Sequence, residues 1–362
     1  MLSIFSIIFS SNVTYFFWLI IFRVETIIFF AVIGIILLYL KWIIKHYYLL
    51  IRGKNLEPFT LINRNKCFPP KLVKFGLTDI PQYPGGNWHW KHKQWSFYAS
   101  RGNRPYMEDR MHYLNDPYHN LVMFSIFDGH GGPFVSQYLE EHFSGAIRQR
   151  LLRGSSKCHP SLTGHSNDHV VEAIITEVHN IDDEIVRLHP SLSSLTGSTL
   201  ISVILELNRF LTVINIGDSR AVACDIAGHA IPLSADHKPS NENERKRIEN
   251  AGGFIEFRGV DRLQGILSVS RAFGDTALKQ LSVLTAQPDI VRIDLNEINL
   301  QFILVASDGF WDVLTNEEAI HSAQTFLRVS SNQWHKVAEY LVRKALKLGS
   351  DDNVSLLFIR LF

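Results

Sequence analysis

The run Leu121–Phe127 (LVMFSIF) passes directly into Asp128-Gly129-His130-Gly131-Gly132, so an acid stands at the tip of an apolar, strand-like segment and is followed by glycines. The pattern recurs where Phe210–Ile216 meets Gly217-Asp218, and where Gln301–Ser307 meets Asp308-Gly309. A core strand excludes water, so an acid at its end is held rigidly at the rim of the core. Glycine beside it allows a sharp turn and a close approach by another group. A single Asp-Gly is ordinary turn chemistry. Three, from segments far apart in the chain, point to a shared site for a hard divalent cation, which prefers oxygen ligands.

Two further acid pairs extend the pattern. Glu108-Asp109 precedes a strand at Met111–Leu114, and Asp351-Asp352-Asn353 opens the last strand, Asn353–Leu361. In antiparallel sheets the start of one strand shares an edge with the end of its neighbour, so these acids can meet the other three. More strands are expected at 94–99, 199–207, 220–224, 289–295 and 301–306, with Asn208-Arg209 joining a hairpin. Between them Val135, Leu139, Phe143 and Ile147 recur at helical spacing, as do Ile174, Val178, Ile181 and Ile185. Two more helices are expected over 316–329 and 332–348, the first opened by Thr315 and Glu318 in capping-box spacing. The Ser/His/Gly-rich stretch 153–167 reads as an exposed loop. The basic run Arg245–Arg247 reads as a solvated helix face, with Ile248 and Phe254 on the buried side. Strands grouped in hairpins and helices grouped in pairs indicate an α+β fold rather than alternating βαβ units.

With 36 basic and 35 acidic side chains in 362 residues, the net charge is +1, and no basic stripe marks a nucleic-acid partner. Cys67, Cys158 and Cys224 have neither disulfide-framework nor zinc spacing, which indicates a reducing compartment. The N-terminus differs from the rest. Residues 1–22 carry no charge, and Ile27–Ile44 is apolar apart from Lys41. A helix of that length reaches roughly 27 Å at about 1.5 Å per residue, near the ~30 Å of a bilayer core. Lys41, Lys45, Arg52, Lys54, Arg64 and Lys66 against the single Glu57 place the downstream chain in the cytosol. The expected order is an apolar segment over 1–26, a transmembrane helix over 27–44, a linker over 45–92 and a folded domain over 93–362. The sequence leaves open whether residues 4–22 form a second span, a re-entrant segment or a surface helix. A span of this length suits a thin membrane such as the endoplasmic reticulum.

Read in order, Arg104…Met107-Glu108-Asp109, Asp128-Gly129-His130-Gly131-Gly132, Gly197-Ser198-Thr199, Gly217-Asp218-Ser219-Arg220, Asp236-His237-Lys238-Pro239, Ser270-Arg271-Ala272-Phe273-Gly274-Asp275, Ser307-Asp308-Gly309-Phe310-Trp311-Asp312 and Asp352-Asn353 resemble the motifs of the metal-dependent type 2C protein serine/threonine phosphatases. The resemblance covers residues 93–362. It implies two packed antiparallel β-sheets flanked by pairs of α-helices, with two manganese or magnesium ions at one end. It further implies that Asp128 bridges the ions, that the Gly129 carbonyl binds one, and that Asp308 and Asp352 hold the other. Glu108 and Asp109 would orient water; Asp218 with Asp308 and Asp312 would hold a third, weaker ion; Thr199 and Asn353 belong to the same motifs.

The implied activity is hydrolysis of phosphoserine and phosphothreonine in cytosolic phosphoproteins, signalling proteins such as kinases among them, by a hydroxide held between the ions. Arg104 then offers a planar fork to the phosphate, and His130 is placed to protonate the leaving oxygen. Other phosphatase chemistries lack their residues. No arginine lies six residues beyond any cysteine, where Val73, Gly164 and Ala230 stand, and no Gly-Asn-His occurs. The alternative is a membrane-bound phosphoprotein-binding scaffold that keeps the fold without turnover. It predicts the loss of metal acids, and none is lost.

Overall fold

The structure is a computed structural model that describes residues 72–76, 87–153, 167–330 and 333–361, with residues 33, 34, 37 and 41 of the N-terminal stretch. Twelve strands form two six-stranded sheets, antiparallel throughout. They are β1 (Val73–Gly76), β2 (Asn87–Lys91), β3 (Trp95–Ser100), β4 (Arg110–Asp116), β5 (Leu121–Phe127), β6 (Leu200–Glu206), β7 (Phe210–Ile216), β8 (Arg220–Asp225), β9 (Ala230–Pro232), β10 (Asp289–Asp294), β11 (Leu300–Ala306) and β12 (Val354–Arg360). One sheet runs β1-β4-β5-β6-β7-β10 and the other β9-β8-β11-β12-β3-β2.

The sheets face each other across a core that includes Trp95, Phe97, Met111, Phe124, Val213, Ile303 and Leu357. The outer face of the first is covered by α1 (Phe134–Arg153) and α2 (Asn167–Leu188), the outer face of the second by α4 (Asn316–Val329) and α5 (Val337–Lys347). This layering explains why β5 and β11 are apolar apart from Ser125 and Gln301: both of their faces are buried. Val135, Leu139, Phe143 and Ile147 form the buried stripe of α1, and Phe143 meets Phe127 edge-to-face at 5.8 Å. Burying a side chain of that size contributes on the order of 2–3 kcal/mol. Thr315 and Glu318 close both bonds of the expected capping box at the start of α4.

Three expectations are corrected, and one element is added. The stretch 45–92 is not linker throughout, because β1 and β2 lie in it as edge strands. In β2 the alternation Asn87 out, Trp88 in, His89 out, Trp90 in was legible, and Trp90 stacks on Phe75 of β1 at 4.1 Å. The helix expected over 332–348 begins as one 3-10 turn, Trp334–Lys336, and becomes α-helical only at Val337. Ile248 is buried on α3 (Glu242–Asn250) as expected, but Phe254 is 54% exposed. A small hairpin, Ile255–Arg258 with Val260–Leu263, also follows α3 and was not anticipated. The loop expected at 153–167 falls almost wholly outside the described residues, as do most of 1–26 and 27–44. Among the described residues no helix is long and apolar enough to cross a membrane.

Candidate metal centre

Strand register brings the acids to one end of the sandwich. Arg110, just after Glu108-Asp109, faces Phe127, just before Asp128. Leu200, after Thr199, faces Ile216, before Gly217-Asp218. Ala306, before Ser307-Asp308, faces Leu356, and Ser307 N donates to the Ser355 carbonyl near the start of β12. Two bonds tie the sheets together at this rim. Ser307 Oγ donates to Asp109 Oδ2 at 3.0 Å, and the Glu108 N–H donates to Asn353 Oδ1 at 2.8 Å. The Asn353 amide also donates to the carbonyls of Arg101 and Tyr106, both at 2.9 Å, so this one side chain fixes the whole Arg101–Glu108 loop. Thr199 acts similarly on Asp128: its N–H reaches the Asp128 carbonyl at 2.8 Å, and its hydroxyl accepts from Asp128 N at 3.3 Å. Gly309 is required here, because a Cβ would lie 2.2 Å from the Asn353 carbonyl oxygen.

The electrostatics are those of crowded, under-neutralised carboxylates. Burial pushes Asp128 well above the usual range, and Asp308, Asp109, Asp218 and Asp352 push it further. Burial and then Asp308 do the same to Asp218, with Lys238 opposing. Burial raises Asp109 to about 7, despite the Ser355 and Ser307 hydroxyls. Burial followed by Asp352 and Asp312 raises Asp308 to about 6. Asp352 is raised by burial against the pull of Arg104. Among the described residues, no group of three or more His, Cys, Asp or Glu side chains stands in closed ligand geometry. The donor chemistry nonetheless fits a hard divalent cation. The donors are all oxygens, they are negatively charged, and they destabilise one another until a positive charge arrives.

The other expected residues are placed as follows. Arg104 reaches neither Glu108 nor open solvent alone: Nη2 lies 2.6 Å from Asp352 Oδ2, and Nε donates to the Asp351 carbonyl at 3.2 Å. His130 Nε2 lies 2.6 Å from Asp275 Oδ2. Asp312 caps the short helix Asp308–Trp311, is 60% exposed, and has Lys238 Nζ 3.4 Å from Oδ1. The same ammonium is 3.7 Å from Asp218 Oδ2.

The sequence profile of the family described as Protein phosphatase 2C matches residues 94–354. The chain belongs to that family. It is a protein serine/threonine phosphatase, and dependence on manganese or magnesium is general among its relatives. The chain is similar to protein phosphatase 1L of Bos taurus, 36% identical over 275 residues that cover 75% of this chain and 74% of that protein. It is also similar to the probable protein phosphatase 2C 59 of Arabidopsis thaliana, 37% identical over 272 residues that cover 74% and 79% of the two chains. Among solved structures, a phosphatase from Toxoplasma gondii matches with a TM-score of 0.62 at 24% identity, over 74% of this chain and 92% of that one. A serine-threonine phosphatase 2C from the same organism gives 0.63 at 22%, over 80% and 99%. These last two establish the shared fold.

Three side chains of the phosphatase site had no role from sequence reasoning. Lys238 bridges Asp218 and Asp312 from the Asp236-His237-Lys238-Pro239 motif. Arg110 donates through Nη1 to the carbonyls of Met107 and Asp109, clamping the turn that carries the acid pair. Asp275 meets His130 across Gly197. The motifs containing Lys238 and Asp275 were visible. What each side chain touches was not, because the contacts span 20 to 145 residues of sequence.

Proposed function

We propose that this phosphatase is a membrane-anchored, manganese- or magnesium-dependent enzyme that hydrolyses phosphoserine and phosphothreonine in cytosolic proteins. The observation that supports it best is the crowding of Asp128, Asp308, Asp352, Asp109 and Asp218 at one rim with too little positive charge to balance them. Asp128, the Gly129 carbonyl, Asp308 and Asp352 would hold two ions, and Asp218, Asp308 and Asp312 a third. The chemistry such ions supply when bound is Lewis acidity toward phosphoryl oxygens and toward water.

The chain's own residues do the rest. Glu108 and Asp109, on a turn locked by Arg110 and Asn353, accept hydrogen bonds from water and so orient it for in-line approach to phosphorus. Arg104, with 51% of its side chain exposed, turns its fork toward the phosphate; the bond to Asp352 fixes the guanidinium at the rim. His130 gives a proton to the serine or threonine oxygen as the P–O bond breaks. Anchoring rests on the apolar Ile27–Ile44 segment and the basic residues after it.

The test is phosphate release from a phosphothreonine peptide, with manganese and then with a chelator. Metal-dependent release is expected. Its absence from well-folded protein would leave the non-catalytic scaffold as the reading. Removal of residues 1–44 is expected to give a soluble, active enzyme, and truncated protein that still sediments with membranes would refute the anchor.

A further inference from the structure

Asp275 holds a backbone conformation uncommon for a residue with a side chain. It stands at the N-cap of the short helix Thr276–Gln280, where an aspartate ordinarily accepts a bond from the backbone of the first turn. Here its backbone is left-handed, at φ 46° and ψ 48°, and its side chain makes no capping bond. A non-glycine residue in that region is uncommon and needs a cause. The buried carboxylate points instead at His130 Nε2, 2.6 Å away.

The approach is built by a three-stranded miniature sheet. Gly197 pairs with His130 on one side and with Gly274 on the other, so the two partners meet across a residue with no side chain. A Cβ on Gly197 would lie 2.0 Å from Asp275 Oδ2 and 2.5 Å from His130 Nε2. The turn is braced from behind. Asp182, on α2, accepts from Gly274 N at 3.0 Å and pairs with the partly buried ammonium of Lys279. Asp275 N donates to the Thr196 carbonyl at 2.9 Å, and Thr276 N to that of Ser193 at 2.8 Å.

We infer that Asp275 is the positioning residue for His130: it binds the Nε2 proton, fixes the ring, and leaves Nδ1 as the nitrogen that delivers a proton to the leaving oxygen. The inference rests on the functional reading above. When the P–O bond to serine or threonine breaks, the departing oxygen keeps the bonding pair and takes the Nδ1 proton. The ring, protonated on both nitrogens before the step, is left as neutral imidazole, still bonded through Nε2–H to Asp275. Holding the imidazole in one tautomer beside a carboxylate is the general way in which a histidine's direction of proton transfer is set.

The experiment compares Asp275→Gly and Asp275→Asn with the wild type on a phosphothreonine peptide and on an aryl phosphate, whose leaving group needs no proton. Glycine and asparagine both tolerate the left-handed backbone. The expected result is a fall in kcat on the peptide of roughly tenfold to a hundredfold with KM unchanged, and a markedly smaller fall on the aryl ester. In a His130→Ala background the same substitutions should cost nothing more. Equal losses on both substrates, or losses that persist without His130, would overturn the pairing. Nitrogen-15 spectra of the wild-type histidines provide a readout independent of turnover. In the form of His130 that carries a single ring proton, that proton is expected on Nε2, and finding it on Nδ1 would refute the assignment. Failure of the wild type to hydrolyse either substrate would strike the functional reading instead.

Discussion

At the rim of the sandwich Asp109, Asp128, Asp218, Asp308 and Asp352 crowd together, and burial with mutual repulsion raises the pKa of each. Between α3 and the segment that ends at β10, Glu244 is as deeply buried, yet its pKa falls to about 2. Burial alone pushes Glu244 up as well. The opposing contributions are larger there: Arg271 brings a two-pronged bond to Oε1, and the Ser270 hydroxyl and Arg247 meet Oε2. Asp289 on the far side of Arg271 is likewise held down to about 2, first by His237, against its partial burial, and then by Arg271. One cluster is neutralised from within the chain. The other has, among the described residues, Arg104 and Lys238 ion-paired at its margins, and its carboxylates are not balanced in the same way.

The largest expected effect that can break this contrast is on turnover. Asp308→Ala should cost at least about a thousandfold in kcat/KM, roughly 4 kcal/mol of barrier, while the metal-free protein melts no lower than the wild type, since a repelling carboxylate has been removed. Retained activity, or a collapsed melting temperature in chelator, would place Asp308 among the structural groups. Glu244→Gln should do the reverse. It removes the charge shared by Arg271 and Arg247 and should destabilise the fold by about 3 kcal/mol in denaturant titration, with activity per folded molecule little changed. Manganese at a hundredfold excess over its Kd should add about 2.7 kcal/mol of stability to the wild type, and much less to Asp308→Ala. An equal gain in both proteins would mean that the ion binds elsewhere.

The pH dependence sharpens the contrast further, and its two limbs have opposite signs. Glu244 is depressed from 4.5 to about 2, so its contribution is complete above about pH 4.5 and lost as pH falls toward 2. That loss is on the order of 3 kcal/mol. Asp109 and Asp308 are raised from 3.8 to about 7 and about 6. In metal-free protein they bind protons in the native state first, so stability should rise as pH falls from 7 toward 4. Saturating manganese should abolish this second limb and leave the first. Melting curves from pH 2 to 8, with and without the ion, separate them.

Much of this is legible in the sequence. The mainly apolar runs Leu121–Phe127 and Phe210–Ile216 are strands with both faces buried and appear with the bounds expected. Helical spacing located α1 and α2 because each presents one apolar stripe to a sheet. The edge strands β1 and β2 escaped for the converse reason. They are short and half-exposed, and only the alternation of Trp88 and Trp90 marked one of them. Hydrophobicity alone points Phe254 inward, but it does not distinguish a core aromatic from one left exposed just before a surface hairpin.

Residue type and order along the chain determined that this protein carries acids at strand tips, an α+β pattern and the motifs of its family, since those depend on local periodicity and on which atoms are present. Only the tertiary structure decided which charges neutralise which. Lys238 went to Asp218 and Asp312, Arg104 to Asp352, and Asp275 turned from its own helix to His130. Electrostatic pairing acts through space over a few ångströms, and no spacing along the backbone encodes a contact that strand register and a side-chain-free Gly197 create between residues far apart in sequence.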